Sequence, residues 1–232
     1  MLTDDEVLAI YDEAGATWFF DYRRGVPGAP HAILTSGKHS DGYVDSRKVL
    51  SRPHLTTKLI YELVRRLYKR NVLVELVDVI VSSTYSAVPF GYELARQLNY
   101  VGQVRARFEY VEKNPAFETD KTAPRFFCKF TVAEGEHVLQ AEELITTLET
   151  TIAVRRAVEV ENPHGRIRWN PDIACGILRP DSDRSLMATG DIICLAKKVV
   201  KAWSSEECIL CKQGSPALKP KSHWAELTGK AT

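Results

Sequence analysis

The stretch Val138-Leu139-Gln140-Ala141-Glu142-Glu143-Leu144-Ile145-Thr146-Thr147-Leu148-Glu149-Thr150-Thr151 passes from an apolar run through two adjacent acids into a hydroxyl-rich turn. A helical pattern follows it, to about Glu161. Backbone N–H groups and hydroxyls at a helix N-terminus make an anion site, and the helix dipole favours negative charge there. Carboxylates beside such a site accept hydrogen bonds from sugar hydroxyls, so the combination suits a ribose 5-phosphate. The same spacing also describes an ordinary capped helix after a strand, with two solvated glutamates. The residues alone leave both readings open.

Working outward, the chain alternates between strand and helix patterns. Thr3-Asp4-Asp5-Glu6 has capping-box spacing ahead of Val7, Leu8 and Tyr11, which predicts an N-terminal helix. Residues 25–45 read as loop-rich. Leu55, Leu59, Leu63 and Leu67 recur every four residues, with Ile60 and Val64 beside them, and predict a helix over 54–70. Residues 77–81 read as a buried β-branched strand, and Pro89 opens a helix to about Asn99. Further strands are expected at 104–111, 126–132, 137–140 and 173–178. Residues 112–125, polar and with two prolines, read as an exposed, mobile loop. Such alternation implies a parallel sheet, whose ligands bind beyond the carboxyl ends of the strands. The turn after Val81, the turn after Gln140 and the segment after Leu178 are therefore the expected binding loops.

Composition sets the outer limits. The chain has 232 residues, 44% of them hydrophobic, which suits one α/β domain with extra terminal segments. Thirty-one basic residues against thirty acidic ones give a net charge of +1, no field for nucleic acid or an anionic membrane. With no apolar leader after Met1 and no long apolar span, a cytoplasmic protein is expected. Five cysteines, Cys128, Cys175, Cys194, Cys208 and Cys211, are odd in number and mostly isolated, which predicts free thiols. Cys208 and Cys211 have the spacing of half a zinc site. Its completion would need the separate cysteines or distant histidines, and no metal-binding residues are assigned. Trp203, Pro220 and Trp224 suggest that the tail docks on the domain or on a partner subunit.

The quoted stretch resembles the phosphoribosyl pyrophosphate (PRPP) motif of type I phosphoribosyltransferases. Glu142 and Glu143 match the acids that hold the ribose hydroxyls in that family, and Thr146, Thr147 and Thr150 the hydroxyl positions that hold the 5-phosphate. Leu148 and Glu149 stand where the family usually has glycines. Glycine permits positive φ and close approach to an anion, so either the loop takes another shape or its grip on phosphate is weak.

Two more stretches carry the resemblance towards the orotate phosphoribosyltransferases. Residues 35–45, Thr-Ser-Gly-Lys-His-Ser-Asp-Gly-Tyr-Val-Asp, are similar to the loop that covers the base, with Lys38 as its nearest cation and Tyr43 as its aromatic residue. Residues 79–98 are similar to the family's strand, pyrophosphate loop and helix, with Ser83, Thr84, Tyr85, Ser86 and Ala87 in place of a glycine-rich loop. Residues 112–125 stand at the catalytic loop, which offers Lys113, Lys121 and Arg125 but no histidine. Arg179 matches an arginine that pairs with the orotate carboxylate.

The resemblance spans about 34–180. It implies a parallel sheet flanked by helices with a small N-terminal hood (1–50), a core (51–200) and a C-terminal extension (201–232) in one domain. It also implies transfer of ribose 5-phosphate from PRPP to a pyrimidine base such as orotate, Mg²⁺ bound with PRPP, and a homodimer. Lys113, Glu142 and Glu143 are the expected catalytic residues. Lys38, Tyr43, Ser83–Ala87, Thr146–Thr150 and Arg179 are the expected substrate contacts. The substituted phosphate loops leave a second reading, a non-catalytic PRPP or nucleotide sensor on the same fold.

Overall fold

The computed structural model describes residues 1–24, 28–102, 104–163, 165, 167–181 and 191–229. The chain begins with α1 (Asp4–Glu13), whose Thr3 cap accepts from the Glu6 N–H while the Glu6 carboxylate accepts from the Thr3 N–H. Short strands β1 (Thr17–Phe19), β2 (His31–Ile33), β3 (His39–Ser40) and β4 (Gly42–Val44) build the hood. Helices α2 (Arg47–Leu50) and α3 (Pro53–Lys69) lead into β5 (Val77–Ser83). Then come α4 (Ala87–Gly102), β6 (Arg107–Lys113), α5 (Ala116–Thr119), β7 (Phe126–Phe127), β8 (His137–Ile145), α6 (Glu149–Glu161) and β9 (Arg168–Leu178). The remainder is β10 (Ile192–Lys197), β11 (Ala202–Trp203), α7 (Ile209–Lys212), β12 (Ala217–Leu218) and α8 (Trp224–Thr228).

The main sheet has the order β10-β9-β8-β5-β6-β7, parallel throughout except for the antiparallel edge strand β7. Strand side chains alternate between faces, and the cores follow suit. Ile80 and Leu139 join the cluster under α1, α3 and α4, while their neighbours Val79, Val81 and Val138 join the cluster under α6. Burial on both faces explains why β5 reads as a continuous β-branched run. The chain leaves β5 for β6 on one side and later returns to β8 on the other. The order reverses between β5 and β8, and that is where an open α/β sheet forms a crevice at its carboxyl edge.

Several sequence expectations are corrected. Strand β8 does not end at Gln140 but runs on to Ile145, so Glu142 and Glu143 lie within it and the turn comes later. The strand expected at 126–132 is ordered as a ladder only over Phe126–Phe127, because β6 offers a short edge there. The expected loop 112–125 is partly regular: β6 extends through Lys113, α5 follows, and Asn114 N–H donates to the Arg125 carbonyl. Pro89 is the third residue of α4, within the first turn, where a missing N–H costs no helical hydrogen bond.

The C-terminal extension joins the hood rather than the main sheet. Strands β11 and β12 flank β3 and β2 in a four-stranded sheet of order β11-β3-β2-β12. Trp224 packs against Tyr43 at 6.0 Å between ring centroids, and Lys48 Nζ lies 3.8 Å from the Trp224 ring centre. This fixes the docking surface of the tail. No helix among the described residues is long and apolar enough to cross a membrane.

Candidate active site

Ser83 ends β5 and Glu142 lies near the end of β8, so the crevice between these strands brings them together. Ser83 Oγ donates to Glu142 Oε2 at 2.6 Å. The other carboxylate oxygen of Glu142 accepts from Gln140 Nε2 at 3.2 Å. Gln140 is held in turn by Arg155 of α6, whose Nε donates to Gln140 Oε1 at 3.0 Å. Sequence reasoning missed Gln140 and Arg155 as supports. Gln140 offered a signal in its place on a buried strand, two residues before Glu142 and on the same face.

Burial is the main cause of the electrostatics here. Glu142 is fully buried and its acid is pushed up to about 8, first by desolvation and then by the neighbouring Glu143 charge, with the Ser83 and Gln140 hydrogen bonds opposing. Desolvation likewise raises Glu143 to about 7, against hydrogen bonds from its own backbone, Leu144 and the Ser86 hydroxyl. Neither acid forms an ion pair among the described residues. Two such carboxyls hold protons near neutrality, and a positive group placed beside them would draw them to the ionised form.

Gly176 of β9 is a second residue that sequence reasoning missed. A Cβ there would stand 2.4 Å from the Glu143 carbonyl oxygen. The close approach of the β9 backbone to that of Glu143 at this point requires glycine.

The loop from β5 to α4 lines one side of the crevice. It contains a cis peptide between Thr84 and Tyr85. Thr84 is buried and its hydroxyl has no hydrogen-bond partner among the described residues, while the Tyr85 ring is exposed. Ser86 reaches Glu143, and Ala87 is buried at the start of α4. Lys113, at the end of β6, points its Nζ at the Tyr85 ring from 5.3 Å. Lys121 instead donates to the Phe117 carbonyl of its own loop, and Arg125 lies over Phe126.

Thr146, Thr147 and Leu148 form the turn between β8 and α6, and Thr150 lies in the first turn of α6. Leu148 caps the helix with φ −84°, so the loop does not use the left-handed conformation that a glycine permits. It takes a shape open to a leucine. Glu149 is the first helical residue and is exposed. The cap makes no side-chain hydrogen bond, so the first N–H groups of α6 face the crevice end of the helix without a capping acceptor.

On the hood side, Tyr43 of β4 and Arg179 meet. Arg179 Nη1 donates to the Gly42 carbonyl at 3.0 Å, and its buried Nε has no partner among the described residues. Desolvation lowers the guanidinium pKa, with the Tyr43 and Asp41 charges opposing. Arg179 N–H donates to the Ile145 carbonyl at 2.7 Å, which ties this segment to the end of β8. Lys38 lies apart, exposed in the turn that joins β2 to β3. A groove of about 890 Å³ lined by His137, Glu159, Arg168 and Trp169 opens at the amino ends of β8 and β9. It is at the wrong edge of the sheet for the buried acids.

The arrangement offers hydroxyls and helical N–H groups for anions, two acids that once ionised suit a developing positive charge, and an arginine fork for a planar anion. The sequence is 32% identical to the orotate phosphoribosyltransferase of Campylobacter fetus subsp. fetus, over 92% of this chain and 96% of that protein. It is also 32% identical to the orotate phosphoribosyltransferase of Heliobacterium modesticaldum, over 83% of this chain and 89% of that protein. The crystal structure of orotate phosphoribosyltransferase from Aeropyrum pernix superposes with a TM-score of 0.52 at 13% identity, covering 97% of this chain and 99% of that one. At that identity it speaks for the fold. No family model matches the sequence.

Proposed function

The chain belongs to the orotate phosphoribosyltransferase family, and from that membership and the crevice geometry we propose that it transfers ribose 5-phosphate from PRPP to orotate. The bond from the ribose anomeric carbon to pyrophosphate breaks, a bond from that carbon to a ring nitrogen of the base forms as that nitrogen gives its proton to solvent, and pyrophosphate leaves with the bonding electrons. The observation that carries this reading is the pair of a buried Glu142 and a half-buried Glu143, held by Ser83, Gln140 and Ser86 at the point where the strand order reverses.

In this reading the ribose lies over Glu142 and Glu143. Ionised, they stabilise the positive charge that grows on the ribose as pyrophosphate departs, a preorganised electrostatic effect. Thr146, Thr147 and Thr150, with the N-terminus of α6, hold the 5-phosphate. Ser83–Ala87 and Lys113 hold the pyrophosphate, and the buried Thr84 hydroxyl that lacks a partner supports a ligand there. Tyr43 and Arg179 face the base, whose carboxylate suits the unpartnered Arg179 Nε. Lys38 would join the site only by movement of its turn.

The oxygen donors of the crevice, carboxylates and hydroxyls without a cationic partner, fit Mg²⁺ bound with PRPP. The ion supplies charge neutralisation to the departing pyrophosphate. The proposal includes a homodimer in the cytoplasm and one domain made of hood, core and extension. Family membership supports the enzyme over the PRPP-binding sensor that Leu148 and Glu149 suggested.

Calorimetric titration with PRPP and Mg²⁺, followed by pyrophosphate detection with orotate and a panel of other bases, tests the reading. Binding and orotate-dependent pyrophosphate release, both lost in a Glu142→Ala, Glu143→Ala double variant, are expected. Binding without turnover on any base would replace the transferase with the sensor. No binding by folded protein would sink both.

A further inference from the structure

The half zinc site of the tail needed distant histidines to complete it, and the fold brings two histidines of the hood to it. The β2–β3 hairpin carries His31 and His39, and the C-terminal extension lays Cys208 and Cys211 against them. His31 Nε2 stands 3.0 Å from His39 Nδ1 and 3.5 Å from both Cys208 Sγ and Cys211 Sγ. Cys211 Sγ stands 3.2 Å from His39 Nδ1. All four atoms lie within 4.8 Å of one another.

These are four of the six edges of a tetrahedron around one ion. Bonds of about 2.0–2.1 Å to nitrogen and about 2.3 Å to sulfur give edges of roughly 3.3–3.8 Å; the two sulfur contacts of His31, at 3.5 Å, lie within that range and the other two, at 3.0 and 3.2 Å, slightly below it. A two-iron cluster with cysteines on one iron and histidines on the other would hold its sulfurs and nitrogens much farther apart. Two thiols and two imidazoles converging on one point also select for zinc among common ions.

The surroundings orient the ligands. Ser215 Oγ donates to the Ala29 carbonyl at 2.6 Å, so at 2.8 Å from His31 Nδ1 it accepts the proton of that ring nitrogen. This tautomer leaves the lone pair on His31 Nε2 aimed at the other three atoms, the outer support that metal-bound histidines use. Cys211 N–H donates to Cys208 Sγ at 3.4 Å, which holds the two cysteines in register beside the histidines. His31 and Cys208 are fully buried and His39 nearly so.

We propose that His31, His39, Cys208 and Cys211 bind one Zn²⁺ in a closed structural site that fastens the C-terminal extension to the hood. Binding releases two thiol protons to water, involves no change of oxidation state and leaves a neutral centre. With four protein ligands no position is open for substrate, so the role is structural. The module has reason to need one. Its strands are two or three residues long, and the buried apolar cluster beside the four ligands is small, made of Phe20, Cys208 and Leu210. Such a small core is commonly completed by a metal.

Full-length protein, purified without chelator from zinc-supplemented cells, is assayed for metal by mass spectrometry and then exchanged with Co²⁺. One zinc per chain is expected. The cobalt form should show tetrahedral d–d bands and sulfur-to-metal charge transfer. Cys211→Ser and His39→Ala should abolish stoichiometric zinc, whereas Cys194→Ser should leave it intact. If those variants fail to fold, wild-type protein decides the matter: chelation should expose two thiols to a thiol reagent and lower the melting temperature. Folded wild type that lacks zinc, takes up neither Zn²⁺ nor Co²⁺, or carries a Cys208–Cys211 disulfide would overturn the proposal. So would thiol reactivity indifferent to chelator. These readouts use no substrate, so they are independent of the transferase assignment.

Discussion

At the residue scale, the site depends on where two carboxylates sit and what protonation state they hold. Glu143→Gln keeps the shape and removes the charge. If the ionised acid stabilises the ribose cation, turnover should fall by about 100-fold or more while the KM for orotate changes little. Pyrophosphate release at saturating PRPP measures this, and an unchanged rate would remove Glu143 from the mechanism. Gly176 gives a second prediction. In Gly176→Ala the new methyl meets the Glu143 carbonyl oxygen, so the strands must part or the acids must shift. A loss of about 1–3 kcal/mol in stability, together with reduced turnover, is expected. Thermal melts and the same pyrophosphate assay check it, and wild-type behaviour in both would show that β9 yields freely. Neither Gly176 nor Arg155 was legible from the sequence, because their importance comes from the strand and helix that face them.

At the element scale, the proposed seat of the 5-phosphate rests on α6. Its N-terminus carries Glu149 in the first turn, which favours the helix dipole but competes with a phosphate for the same field. Glu149→Gln should therefore tighten PRPP by a factor of roughly 2–5 while slightly lowering the melting temperature. Calorimetry and a melt read these opposite signs. Weaker PRPP binding would show that Glu149 serves the site instead. The elements themselves were largely readable. The four-residue recurrence from Leu55 to Leu67 became α3, and the apolar run before Ser82 became β5. What failed was the extent of β8. Glu142 and Glu143 look like a turn because acids seldom lie in strands, but here pairing with β9 through Ile145 keeps them extended.

At the scale of the whole molecule, the buried acids couple folding to pH. Both have folded pKa values, about 8 and about 7, above the 4.5 of an exposed glutamate. Through this window the folded state binds more protons than the unfolded state, so stability falls as pH rises. Their stabilising contribution is complete below pH 4.5 and gone above about 8. Melting temperatures between those limits should decline in the wild type. They should decline much less in a Glu142→Gln, Glu143→Gln double variant, and parallel curves would place the titration elsewhere. The cation that PRPP brings should reverse the trend for binding, which strengthens as the pair ionises.

The sequence by itself determined the alternation of strands and helices, the parallel sheet, the acid pair and the hydroxyl-rich loops. Each is written in residues a few positions apart, through periodicity, β-branching and turn chemistry. Only the tertiary structure decided which loops share a crevice and which ends of the chain meet. Ser83 reaches Glu142 across 59 positions, and Cys208 reaches His31 across 177. Such contacts arise from strand order and from the return of the tail to the hood. No local pattern records them, because the free energy that closes them is spread through the packed cores between.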